Sequence, residues 1–219
     1  MIVQALAQSL PRSVRIQGAT YDPAHVARWR AWLSDEEQAL LSSFGAEVRR
    51  HEFLAGRAAA RTLLGACLGR APADVPLRRA EDGAVDVKAD DWRVSIAHSG
   101  GRALAAAARH PVGADLEEIR PRDAAVADFL FRPDERDCVD ALPYAFEAAL
   151  VLCWALKESV LKARRTGFRM SPKALRLTVV PERDRAVVQV EEGEAWIVCY
   201  TRLGDYWGAV AVPDEMHSA

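Results

Sequence analysis

The chain has 219 residues, half of them apolar and 27% charged, with a formal net charge of −2. That balance argues against a disordered or fibrous chain and against a basic nucleic-acid-binding protein, and the length leaves room for one large domain or two small halves. The longest uncharged apolar stretch, Ala148 to Leu156, spans nine residues, far short of the roughly 20 that cross a bilayer. No basic segment leads into an apolar one at the amino terminus, so the expectation is a cytoplasmic protein without membrane contact.

In chain order, Ser34-Asp-Glu-Glu37 has the form of a capping box and predicts a helix running toward Phe44. From Glu47 to Leu68 the apolar residues Phe53, Leu54, Leu63, Leu64 and Leu68 recur at helical spacing, and Arg50, Arg57 and Arg61 share a face. Strand signals follow at Val75 to Arg79, Val85 to Val87 and Arg93 to Ala97, with His98-Ser-Gly-Gly101 turning into the small-residue strand Arg102 to Ala108. The second half repeats this outline. A helix is predicted from about Tyr144 to Arg165, ended by Thr166-Gly167, then strands near Leu175 to Val180 and Ala186 to Val190, then a hairpin pairing Trp196 to Thr201 with Tyr206 to Val212. The second strands of the two hairpins begin 104 residues apart, close to half the chain. The pattern predicts an α+β protein of two similar halves related by a pseudo-twofold, residues 1–110 and 111–219, packed together with any shared site at their interface.

Charge is unevenly placed. Residues 47–70 carry five arginines (49, 50, 57, 61 and 70) against two glutamates, and residues 113–147 carry ten acids against four arginines. The first block suits phosphates and the second a cation, although a solvated face accounts for either alone. Asp115 and Glu117, two apart, project from one side of a strand. Two hard oxygen donors without soft partners suit magnesium or manganese, as an exposed strand end would also explain them. On the later helix Trp154, Glu158 and Lys162 form one stripe at four-residue spacing, the pattern of an ordinary surface ion pair but with a large aromatic beside it. His98 sits on a turn with two glycines, where backbone can approach a ligand closely. No G-x-S-x-G elbow accompanies Ser99, His98 and Asp115, so a serine hydrolase is set aside. The cysteines (67, 138, 153 and 199) form no C-x-x-C pair and the five histidines do not cluster with them, which leaves no zinc site or disulfide framework in view.

Taken together and in order, these segments resemble the Sfp-type 4′-phosphopantetheinyl transferases. Val112-Gly-Ala-Asp115-Leu-Glu117 is similar to that family's (V/I)-G-(I/V/A)-D-(L/I/V)-E, and Trp154-Ala-Leu-Lys157-Glu158-Ser-Val-Leu-Lys162 to its W-x-x-K-E-x-x-x-K. Phe53-Leu-Ala-Gly56-Arg57, Ser95-Ile-Ala-His98-Ser99 and Phe131-Arg-Pro-Asp-Glu135 resemble its F-x-x-G-R, S-(I/L)-S-H-S and F-(S/T)-x-x-E. The resemblance implies transfer of the phosphopantetheine arm of coenzyme A to a serine of an acyl, peptidyl or aryl carrier protein by a monomer. It also implies Mg2+, or Mn2+, on Asp115, Glu117 and Glu158. Glu158 is implied to be the base, through water, and Lys162 to neutralise phosphate charge. His98 and Arg57 are implied to hold the 3′-phosphate, helped by Arg49, Arg50 or Arg61. The chain departs from the pattern at Gly83-Ala-Val-Asp86, where the family often has G-K-P, at Ala97, and at Glu37 and Leu40 in place of basic residues. A non-catalytic relative that binds coenzyme A or the carrier, and a magnesium-dependent phosphohydrolase, are the competing readings.

Overall fold

The computed structural model describes residues 2–88, 91–191 and 193–216. Its elements are α1 (Ile2–Ser9), β1 (Arg15–Thr20), α2 (Val26–Ala31), α3 (Asp35–Ser43), α4 (Glu47–Leu68), β2 (Leu77–Arg79), β3 (Val85–Val87), β4 (Arg93–Ser99), β5 (Arg102–Ala108) and β6 (Gly113–Glu118). They continue with α5 (Ala124–Leu130), α6 (Pro133–Asp140), α7 (Phe146–Ala163), β7 (Leu175–Val180), β8 (Arg185–Val190), β9 (Ala195–Leu203) and β10 (Tyr206–Pro213). The predicted capping box forms: Ser34 Oγ accepts from the Glu37 backbone and Glu37 Oε2 accepts from the Ser34 backbone. Both long helices appear where the periodicity puts them.

The strands form an antiparallel sheet ordered β1-β5-β4, a larger one ordered β6-β10-β9-β8-β7, and a separate β2-β3 ribbon. The order repeats. In each half the opening strand pairs with the last and the last with the one before it, while a long helix lies across the sheet, α4 on β1, β4 and β5 and α7 on β6 and β10. The protein is therefore mixed α/β with two alike halves.

The alanine-rich β5 shows why such a strand reads as a continuous apolar run. Ala103, Ala105 and Ala107 face the core under α4, whereas Leu104, Ala106 and Ala108 face a second core shared with Val112, Ala114, Leu116, Val210 and Val212 of the other half. A strand covered on both faces loses polar alternation. The two main sheets meet where β4 lies beside β6, joined by serine hydroxyls: Ser95 Oγ accepts from Ala114 N at 2.9 Å and Ser99 Oγ from Glu118 N at 3.1 Å. At the start of β6 the α7 backbone comes so close that a Cβ on Gly113 would lie 1.8 Å from the Ser159 carbonyl oxygen. Helix α1 straps the halves, packing on β1, β9 and β10 with Leu6 fully buried.

The two long helices end differently. Arg70 N donates to Gly65 O around Gly69, which takes the left-handed conformation (φ 65°) closing α4. At the end of α7, Thr166 N donates to Leu161 O and Arg165 N to Lys162 O, so Arg165 (φ 58°) holds the position usually given to glycine. A side chain there costs about 1 kcal/mol. Among the described residues no helix is long and apolar enough to cross a membrane, and Cys67, Cys153 and Cys199 are free thiols. The side chain of Cys138 lies outside what is described.

Candidate functional site

Strand β6 presents Asp115 and Glu117 on one side, and α7 brings Glu158 and Lys162 across from it. Lys162 Nζ donates to Asp115 Oδ1 at 2.5 Å, and Arg122 Nη2 donates to Glu117 Oε2 at 2.6 Å. Asp115 and Glu158 are buried, and Asp115 Oδ2 and Glu158 Oε1 have no hydrogen-bond partner among the described residues. Burial, then the Asp115 charge and more weakly that of Glu117, push the Glu158 carboxyl up to about 7 against the pull of Lys162. Burial and Asp115 likewise push Glu117 up to about 7, opposed by Arg122 and Lys162. For Lys162, burial works against the charged form, yet the Asp115, Glu158 and Glu117 charges prevail and its ammonium is held above its ordinary value.

Three carboxyls facing one lysine and one arginine crowd negative charge into a largely buried cluster, an arrangement that an added cation would relieve. The two partnerless oxygens fit one. The closed three-acid set expected from the sequence is not assembled, however: among the described residues no group of three His, Cys, Asp or Glu side chains is gathered to hold a metal ion. Asp115 is turned to Lys162 and Glu117 to Arg122. The three acids are neighbours that repel one another, not a ligand cage.

His98 stands at the end of β4, its ring partly exposed, with Nδ1 3.3 Å from Glu52 Oε2 on α4. Burial, reinforced by Lys162, holds its pKa below the ordinary value although Glu52 pulls it up. Gly56 allows that approach: a Cβ there would be 2.9 Å from Ile96 Cγ2 and 3.8 Å from His98 Cδ2.

The expected arginines have divergent surroundings. Arg57 is buried, its Nε 2.7 Å from Glu37 Oε1 and its guanidinium 4.7 Å from the Phe53 ring centroid. Arg61, expected among the helpers for the 3′-phosphate, is turned into the core. It is only 2% exposed and donates to Glu37 Oε2 at 2.5 Å and to the carbonyls of Pro72, Ala73 and Val75, which fixes the segment after α4. Arg50 donates to the Phe44 and Gly45 carbonyls, and Arg49 lies over the Phe44 ring. Of these four, Arg49 alone has no recorded backbone or acidic partner among the described residues.

Sequence reasoning missed Glu37 as the hub of this face. The capping box that revealed the helix start also buries a carboxylate beside a basic helix, and that was the available signal. The second half has a counterpart. Glu135, whose Oε2 accepts from Arg132 N at the start of α6, meets the fully buried Lys157, whose Nζ donates to Leu130 O at 2.8 Å and lies 3.0 Å from Glu135 Oε2. The conspicuous Lys157 and Glu135 of the two motifs thus tie α7 to α6 and to the end of α5.

A cavity of about 430 Å³ opens along the seam, lined by residues including Trp92, Ser95, Ile96, Val112, Lys162 and Arg169. It meets the acidic cluster at Lys162. Basic side chains outnumber acids on its wall, with Arg93, Lys162, Arg164, Arg165 and Arg169 against Asp82 and Asp86.

An acidic cluster and a cavity with a mostly basic wall thus meet at Lys162, where the two like halves come together. Residues 36–108 match the family model described as the 4′-phosphopantetheinyl transferase N-terminal domain, and residues 111–211 match that of the 4′-phosphopantetheinyl transferase superfamily. The chain belongs to the 4′-phosphopantetheinyl transferase superfamily. Among its relatives, enterobactin synthase component D of Escherichia coli O157:H7 is 39% identical over 71 residues, 32% of this chain and 34% of that one. The 4′-phosphopantetheinyl transferase psf-1 of Bacillus pumilus is 31% identical over 113 residues, 50% of this chain and 47% of its own length. The 4′-phosphopantetheinyl transferase of Bacillus subtilis is 25% identical over 180 residues, 81% and 79%. The matched region spans about a third of the enterobactin synthase component and about half of psf-1.

Proposed function

We propose that this protein transfers the 4′-phosphopantetheine group of coenzyme A to a serine hydroxyl of an acyl, peptidyl or aryl carrier protein, releasing adenosine 3′,5′-bisphosphate. The observation that carries the reading is the pairing of a half-neutralised carboxylate cluster, with partnerless oxygens on Asp115 and Glu158, with a basic cavity that shares Lys162 with it. The serine oxygen bonds to the phosphorus bearing the pantetheine arm, and the bond from that phosphorus to the oxygen of the nucleotide breaks. Charge develops on phosphoryl oxygens, so fixed cationic groups do most of the work.

Glu158, through an intervening water, accepts the proton leaving the serine hydroxyl. Lys162 neutralises the leaving phosphate oxygen and can protonate it; to reach it, the ammonium turns from Asp115. Magnesium, or manganese, would be held by Asp115 and Glu158, with Glu117 joining when Arg122 releases it. Bound there, the ion neutralises charge on the pyrophosphate. His98 and Arg57 hold the 3′-phosphate, with Arg49 and Arg50 at the margin. The division falls after residue 110: His98 and Arg57 come from the first half, and the carboxylate cluster, Lys162 and most of the cavity's basic wall come from the second. One chain supplies all these groups, so the proposed working form is a monomer, acting in the cytoplasm.

The test is to incubate the protein with coenzyme A, magnesium and an apo carrier domain, and to weigh the carrier. A gain of one phosphopantetheine, lost with Glu158→Ala, supports transfer. Coenzyme A bound without any gain on several carrier types supports a non-catalytic relative, and cleavage of coenzyme A without carrier modification supports a hydrolase.

A further inference from the structure

The hairpin joining β2 and β3 forms one wall of the seam cavity, yet it belongs to neither main sheet. A two-stranded ribbon of three-residue strands is marginal by itself. What reaches it from the second half is Arg165. Its Nε and Nη2 donate to Asp82 Oδ2 and Oδ1, both at 3.0 Å, and its Nη1 donates to Asp86 Oδ1 at 2.7 Å. The arginine side chain is 34% exposed and each aspartate 20%, so the fork is partly shielded from water. Arg78 adds a contact to Asp86 at 3.3 Å, and Arg169 donates to the Arg165 carbonyl at 2.6 Å. The backbone position is one that favours glycine, as the matching end of α4 has at Gly69. An arginine at that position is explained by what its side chain does.

We propose that Arg165 is a positioning residue, a clasp that holds the β2–β3 hairpin to the second half and sets the cavity wall before an anionic ligand enters. Three charge-assisted hydrogen bonds in a planar fork supply geometry as well as charge. With Arg78 on Asp86, they also offset the charge of two carboxylates on the rim, which would otherwise repel phosphate. A wall fixed in advance spares the ligand the ordering that binding would otherwise demand. The part of the proposal that concerns ligand entry rests on the reading of the cavity as a coenzyme A site; the clasp itself does not.

Arg165→Gly separates the clasp from general stability, because glycine suits the left-handed backbone while removing the fork. Hydrogen exchange over residues 79–86 is expected to quicken about tenfold in this variant, with the thermal midpoint held. Asp82→Asn, which spares the Arg78 contact to Asp86, should quicken exchange in the same direction and add nothing to Arg165→Gly, and Arg165→Lys should fall between, keeping the charge but not the fork. Calorimetry with coenzyme A should show about tenfold weaker binding by Arg165→Gly, and KM should rise while kcat holds. Unchanged exchange at the hairpin overturns the clasp. Quickened exchange with unchanged coenzyme A affinity overturns its role in ligand entry. If the unaltered protein binds no coenzyme A, the cavity reading fails, and the exchange measurement still decides the clasp.

Discussion

Replacing Glu158 by Gln should make the protein more stable at pH 8 while removing transfer. The carboxyl is displaced from 4.5 to about 7 by burial and by the Asp115 charge. The sign follows from proton binding. A folded state that holds a carboxyl proton more tightly than the unfolded chain binds more protons between about 4.5 and 7, so stability falls as pH rises through that window. At roughly 1.36 kcal/mol per pKa unit the full displacement is worth about 3 kcal/mol, and about 2 kcal/mol after partial screening. The amide carries no such charge. Urea unfolding in chelated buffer at pH 5 and pH 8 would measure both forms. Relative to the unaltered protein, Glu158→Gln is expected to gain about 2 kcal/mol between the two pH values, equivalent to roughly 4–8 °C in midpoint for a chain of this size. Comparing the change between two pH values cancels any packing difference between acid and amide. If the two proteins lose stability in parallel from pH 5 to pH 8, Glu158 does not titrate in this window and its buried, repelled carboxylate is wrongly described.

Lys157→Met leaves Glu135 buried without its cation and should lower stability by about 3–5 kcal/mol; denaturant curves should show much of that returned by the double variant Lys157→Met, Glu135→Leu. Arg61→Ala should destabilise by about 2–3 kcal/mol, because it takes one of two buried cations from Glu37 and leaves three carbonyls without their donor, whereas Arg49→Ala should stay within about 0.5 kcal/mol. Equal effects of the two arginines would contradict the structural role given to Arg61. Gly113→Ala drives a methyl into the α7 backbone and is expected to cost about 3 kcal/mol or more, visible as a lowered thermal midpoint or loss of soluble protein.

The features legible in the sequence were those with a strong local cause. The span of α4 from Glu47 to Leu68, the Ser34 cap and the β5 run all follow from periodicity, capping or a glycine-bearing turn. Strand β1 was missed because its residues are half-buried along an edge, without clear alternation. Helices α5 and α6 were hidden inside the acid-rich block, where charge drew attention from the start signals that were present: Asp123 capping Ala125 and Pro133 opening the next helix. Helix α1 is eight residues long, and its support is tertiary, from both halves.

At the site, one-face pairing of Asp115 with Glu117 and the Glu158, Lys162 stripe were readable from spacing. What spacing could not tell is which neighbour each carboxylate chooses, since Lys162 and Arg122 reach Asp115 and Glu117 only through the packing of α7 and the loop after β6. The same holds for the arginine face. Three residues sharing one side of α4 looked equivalent, but Arg61 points into the core beside Glu37 and Arg50 folds back on the turn before the helix.

The proposed function turns on a divalent cation held by Asp115 and Glu158 at the seam. Manganese titration followed by electron paramagnetic resonance, with coenzyme A present, measures this most directly. One bound ion per chain, lost in both Asp115→Asn and Glu158→Gln, is the expected result. Binding that survives both substitutions, or none in the unaltered protein, would contradict the account.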